Sequence, residues 1–126
     1  MKPLTHAKNS ARKFGGKWED YILIHEWMDE SKAHLPDLRH RAMRHHSWGI
    51  YQGQEKFGYA VKNSDGREIA VRDILEQHVI EDMGFIPTVD HWFKNWAAEP
   101  WMGMAEIKGR LPIRLSVKEH NIEVVD

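Results

Sequence analysis

The chain of 126 residues contains no cysteine. That absence excludes disulfide frameworks, thiolate zinc sites and cysteine nucleophiles, and it makes the cytoplasm the expected compartment. Long apolar runs are also missing: no stretch approaches the ~20 residues of a membrane span, and Met1–Gly16 has no apolar signal core. The expectation is therefore no membrane and no standard secretion. Net charge is nearly nil, with 18 Lys and Arg against 19 Asp and Glu, which argues against a general nucleic-acid coat. No repeat or low-complexity tract interrupts the chain. It carries no H-E-x-x-H helix, G-x-S-x-G elbow, Walker A loop or G-x-G-x-x-G turn. What it has in surplus is histidine, nine residues in all.

Residues 2–17 are basic, with Lys2, Lys8, Arg12, Lys13 and Lys17 and no acid, and a short helix is expected over Thr5–Phe14. From Trp18 to Asp37 the sign reverses. Tyr21, Ile24, Trp27 and Met28 recur there at helical spacing, predicting a helix over about 18–33. Pro36 suits the first turn of a second helix reaching Phe57, whose inward stripe would hold Met43, His46, Ile50 and Phe57. Two β-prone runs flank Asn63-Ser64-Asp65-Gly66, predicting a hairpin near 59–71. A third helix follows over Val71–Met83 with Gly84 closing it, and Thr88 suits the cap of a short helix. The reading is mainly α with a small β-hairpin: one helical domain over 1–104, then a C-terminal extension over 105–126 that suits a β arm or a partner-binding segment.

Chemistry concentrates in three places. His25 with Asp29 and His78 with Asp82 are four apart, so each pair shares a helical face and can offer an imidazole and a carboxylate to one ion. A surface ion pair is the plain alternative for the first pair, and a satisfied core histidine for His78. The third place is His34–Ser47, where Asp37, His40, Arg41 and Arg44 would form one face, His45 beside it and His46 turned toward the apolar side. Imidazole and carboxylate donors suit Zn, Mn, Fe, Ni or Mg. Guanidinium groups match phosphate oxygens, so Arg39, Arg41 and Arg44 point to a phosphate-bearing ligand. The plain alternative is a solvated basic face. The tryptophans could stack on a base but suit a core better.

The run Asp29–His34, then Arg39-His40-Arg41-Ala42-Met43-Arg44-His45-His46-Ser47, Gly49-Ile50, Asn63–Arg67, Glu76–Val79, Glu81-Asp82, Gly84 and Ile86-Pro87 resembles a small family of uncharacterised bacterial and phage proteins. The likeness spans about residues 4–103 and implies that the His, Asp and Arg segments belong together in a protein of phage or prophage origin. Where that family carries an acidic residue before its Phe-Gly pair, this chain has Gln54-Glu55, so no ligand role passes to position 54. A looser likeness, in ingredients only, is to HD-type phosphohydrolases; their adjacent His-Asp dyad is missing.

These observations lead to one expectation and three alternatives. The expectation is a metal-dependent hydrolase of a phosphate ester, a nucleotide or cyclic-nucleotide signal being the candidate substrate. His25, Asp29, Asp37, His40, His78 and Asp82 would be ligands, His45 or His46 would move protons, and Arg39, Arg41 or Arg44 would hold the phosphate. One alternative is a nucleotide-sequestering protein without catalysis. Another is an inhibitor that docks on a host protein, with residues 105–126 as its arm; self-association is compatible with either. Nucleic-acid binding rests on residues 2–17 alone.

Overall fold

A computed structural model describes residues 1–103. The β arm or partner-binding segment expected over 105–126 lies outside the described residues. The chain divides into a unit over Met1–Trp92 and a second unit beginning at Phe93. The first carries the helices α1 (Pro3–Phe14), α2 (Ile22–Met28), α3 (Arg41–Arg44), α4 (Ser47–Phe57) and α5 (Val71–Met83), and the hairpin of β1 (Ala60–Lys62) and β2 (Glu68–Ala70). A short helix α6 (Val89–Phe93) spans the boundary, with Thr88 Oγ1 accepting from the His91 N–H at 3.1 Å as the cap expected from sequence. In the second unit Pro100–Gly103 form one 3₁₀ turn, and the Phe93 and Trp96 rings pack with centroids 4.9 Å apart. The mainly α reading with one hairpin holds, and no helix among the described residues is long and apolar enough to cross a membrane.

Helix α5 is the axis of the first unit and packs on α1, α2 and α4. Ile74, Leu75 and Val79 of α5 are fully buried with Ala7, Tyr21 and Met28, while Ile24, Trp27 and Ile50 complete the apolar face. Burying such side chains contributes about 1.5–3 kcal/mol each relative to exposure. Gly53 lets α4 approach this face: a Cβ there would run into the Leu75 side chain and lie 3.1 Å from Trp27 Cζ3. The hairpin pairs Ala60 with Ala70, Val61 with Ile69 and Lys62 with Glu68. Asn63 sets its turn, its Oδ1 accepting from the Asp65 and Arg67 N–H groups at 2.9 and 3.0 Å.

Two long helices expected from sequence are broken, and both breaks matter. The first divides into a 3₁₀ turn at Trp18–Asp20, α2, and a 3₁₀ turn at Glu30–Ala33, leaving Asp29 between helices with φ −98° and ψ 7°. The second divides into a 3₁₀ turn at Leu38–His40, α3 and α4, with extended backbone at His46 (φ −162°, ψ 172°). The bend brings Arg44 O against Gly49 so closely that a Cβ at 49 would collide with it. Ser47 N–H then bonds Pro87 O at 2.9 Å instead of continuing the helix. Met43 consequently turns outward, 44% exposed, off the inward stripe proposed for it.

Candidate metal centre

Five histidines from five different segments gather at two buried carboxylates, four of them facing the carboxylates and His25 standing behind His78. His6 comes from α1, His25 from α2, His40 from the 3₁₀ turn before α3, His45 from the break after it, and His78 from α5. All five are buried. Asp29 sits at the C-terminal end of α2 and Asp82 one turn beyond His78 on α5, their side chains 5% and 1% exposed.

The inward Nε2 atoms converge on these two residues. His78 Nε2 lies 3.2 Å from Asp29 Oδ1 and 3.2 Å from Asp82 Oδ2. His45 Nε2 lies 3.0 Å from Asp82 Oδ2 and 3.3 Å from Asp29 Oδ1. His40 Nε2 is 3.4 Å from Asp29 Oδ1, and His6 Nε2 is 3.1 Å from Asp82 Oδ1. Donors held about 2.1 Å from one ion stand about 3.0 Å apart at a right angle and about 3.4 Å apart at the tetrahedral angle. The observed spacings fall in that interval. Three overlapping donor sets result among the described residues: His6 with Asp29, His78 and Asp82; Asp29 with His40 and His45; and His6 with His25 and His78.

The outer nitrogens explain why these rings point inward. His6 Nδ1 donates to Glu81 Oε1 at 2.7 Å, and His40 Nδ1 donates to the Asp37 carbonyl at 2.8 Å. An imidazole whose outer nitrogen carries its proton toward a carboxylate or carbonyl presents an inner lone pair, the usual orientation of a histidine ligand. Filling every inner position with a proton instead would place several imidazolium ions in a buried space, among them His6 and His78, whose rings stack at 3.7 Å. Like charges at that distance repel strongly away from water. Neutral rings, in turn, aim lone pairs at carboxylate oxygens, and a cation between them removes the repulsion. Asp29 Oδ2 and His45 Nδ1 are buried with no hydrogen-bond partner among the described residues, as is Arg41 Nε. The donors, their spacing and the unpartnered atoms fit a divalent ion.

The electrostatics agree with a tightly coupled cluster. Burial alone would raise the Asp29 and Asp82 carboxyls, but an inward proton on the His45 or His78 ring, or on His6 at Asp82, holds the carboxyl it faces well below the usual carboxylate range. Burial alone would lower His45, but bonds to Asp29 and Asp82 raise it overall. His25 is pushed down to about 2, by burial first and then by His78 and His6.

The other residues singled out from sequence are placed as follows. Asp37 is exposed; its carboxylate caps the 3₁₀ turn through the Arg39 N–H at 2.9 Å and pairs with the Arg39 guanidinium. Neither side chain joins the cluster. His46 caps α4, its Nδ1 accepting from the Gly49 N–H at 2.9 Å and its Nε2 donating to the Ala42 and Met43 carbonyls, so both nitrogens are used structurally. Arg44 lies over the Trp27 ring at 4.1 Å and donates to Trp27 O and Glu30. Among the three arginines only Arg41 borders the centre, with Nη2 3.7 Å from Asp82 Oδ1. The side chains of His25 and Asp29, expected to act as a pair, do not bond each other: the His25 ring bonds Ser10 and His78 instead. His6, which the sequence left outside every constellation, is a central member. The spacing His6-x3-Ser10 beside Ala7 on an amphipathic helix was the available signal, since it turns both polar groups to the buried side.

A family model described as a domain of unknown function, DUF6915, matches residues 1–102. The chain belongs to the DUF6915 family. An uncharacterised family was the expectation from the motifs, and the match covers His6, His25, Asp29, His40, His45, His78 and Asp82 alike. No curated protein and no solved structure matches the chain.

Proposed function

We propose that this DUF6915 chain is a metal-dependent hydrolase of phosphate esters, with a nucleotide or cyclic nucleotide as the substrate class. The observation that carries the reading is the set of inward Nε2 atoms facing Asp29 and Asp82 while the outer nitrogens of His6 and His40 are held by acceptors. His6, His78, Asp29 and Asp82, which stand in one donor-sized group, are the ligands, and His40 faces Asp29 beside them. A bound divalent ion (Zn, Mn, Fe, Ni or Mg) supplies Lewis acidity toward a phosphoryl oxygen and lowers the pKa of water.

His45 differs from the other histidines because its Nδ1 is held by no acceptor among the described residues, while its Nε2 faces both carboxylates. That arrangement suits a proton carrier better than a ligand: Asp29 and Asp82 favour the charged ring, Nδ1 delivers a proton to the leaving ester oxygen as the P–O bond breaks, and the proton lost by the water that adds to phosphorus recharges the ring. Arg41, part-exposed beside Asp82 and with no partner for Nε among the described residues, holds the phosphoryl oxygens.

The test is to strip the protein with chelator, reload it with Mn²⁺ or Zn²⁺, and screen phosphomonoesters, phosphodiesters and cyclic nucleotides for product. The expected result is metal-dependent turnover, abolished in Asp29→Asn and reduced in His45→Gln and Arg41→Ala. A loaded protein that releases no product overturns hydrolysis; a nucleotide recovered intact from such a protein replaces it with sequestration.

A further inference from the structure

One buried polar chain leads away from the centre and is not accounted for by ligation. Gln77, Ser10, His25 and His78 are joined in series between α1, α2 and α5. All four are buried, and the order of their protons follows from which atoms can only accept.

Gln77 fixes the starting point. Its side-chain Nε2 donates to His6 O and to Glu81 Oε1, both at 3.0 Å. Both partners are acceptors, so the amide has one orientation and Oε1 faces Ser10 Oγ at 2.6 Å. Two oxygens at that distance require a proton between them, and the hydroxyl is the only donor of the two. Ser10 has a single proton, so it cannot also donate to His25 Nε2, 2.8 Å away. His25 must therefore donate there, from Nε2. His25 is fully buried, its nitrogens meet only a hydroxyl and another imidazole, and it forms no ion pair with a carboxylate among the described residues. A charged ring in that position would be uncompensated, so His25 is neutral and its Nδ1 is an acceptor. The remaining contact, His25 Nδ1 to His78 Nδ1 at 2.9 Å, then has its proton on His78.

We infer that His25 is a positioning residue that, with Ser10 and Gln77, locks the proton of His78 on Nδ1 and so turns the His78 Nε2 lone pair toward Asp29 and Asp82 as a metal ligand. This assigns His25 a role other than ligation, although it stands in one donor-sized group with His6 and His78. The consequence for metal affinity rests on the proposed function above; the proton placement does not.

Two measurements decide it. Ring ¹⁵N–¹H correlation spectra of the chelator-treated wild type should show His78 protonated at Nδ1 and His25 protonated at Nε2; a bare Nδ1 on His78 overturns the inference without reference to any metal. In Zn²⁺ titrations of the full chain, His25→Leu, which removes the acceptor, should weaken affinity by about 10–100-fold, the usual effect of losing a ligand's outer partner. His25→Asn, whose carbonyl can occupy the place of Nδ1, should restore most of that loss. Equal, complete loss of Zn²⁺ in both variants would make His25 a ligand, and wild-type affinity in both would remove its role; either result overturns the inference. If the wild type binds no Zn²⁺, the metal reading fails while the His78 spectrum still decides the relay.

Discussion

Replacing Asp82 by Asn tests how much of the fold rests on the buried cluster. The Asp82 carboxylate meets His45 at 3.0 Å, His6 at 3.1 Å and His78 at 3.2 Å, and the side chain is 1% exposed. The amide keeps the shape and removes the negative charge, leaving His45 facing Asp29 alone. Removing one partner of a buried ion pair costs about 3–5 kcal/mol. Whole domains are stable by only about 5–15 kcal/mol. At about 4–8 °C per kcal/mol for a domain of this size, the metal-free variant should melt about 12–40 °C below wild type. The assay is thermal denaturation followed by circular dichroism in the presence of chelator at about pH 6, where an ordinary imidazole is largely charged. A variant that is helical at low temperature and melts with the wild-type midpoint would show that no buried imidazolium depends on this carboxylate.

Three further outcomes follow from the geometry. Asp37→Ala should cost about 1 kcal/mol through its lost cap and leave metal affinity unchanged, as measured by urea denaturation and Zn²⁺ titration; loss of metal would restore Asp37 as a ligand. Gly53→Ala should destabilise the protein by about 1–3 kcal/mol by forcing α4 off Leu75 and Trp27, read as a lower urea midpoint; an unchanged midpoint would mean α4 does not pack as described. Stability and metal affinity should run oppositely with pH. His45 is raised in the fold, so its contribution is present at low pH and is lost as pH climbs through its folded value; metal-free melting should therefore fall on the alkaline side of the imidazole range. Asp29 and Asp82 are lowered, so their contribution fails only on the acid side, as pH drops through their folded values. Zn²⁺ affinity should rise over the interval in which metal-free stability declines, because protons compete for the same nitrogens. Parallel slopes would count against a shared site.

The parts of this fold legible in the sequence are those where local chemistry and packing agree. The helix over Val71–Met83 closes at Gly84 (φ 85°), and the hairpin forms around Asn63–Gly66, because periodicity, cap and turn all favour the same structure. His78 and Asp82 were legible for the same reason: four residues apart on a regular helix, they share a face. The breaks at Asp29 and at His45-His46 were not legible. Nothing local forbids helix there; tertiary contacts, such as Ser47 N–H to Pro87 O, compete with the helical bonds and win. A wheel drawn through an unbroken helix put Asp37, His40, Arg41 and Arg44 on one face, whereas the real bend buries His40 and His45 and leaves Asp37 and Arg39 in solvent. His6 was missed because its partners, Glu81 and Asp82, lie 75 and 76 residues away in the chain.

Whether Asp29, Asp82 and the histidines around them bind a divalent ion is read from calorimetric titration of Zn²⁺ and Mn²⁺ into chelator-stripped wild type, beside Asp29→Asn and Asp37→Ala. Saturable binding is expected in wild type and in Asp37→Ala, with proton release that diminishes as pH rises, and its loss is expected in Asp29→Asn while the helical spectrum remains. Folded wild-type protein that takes up neither ion, or an Asp29→Asn variant that binds as wild type does, would contradict binding by this cluster.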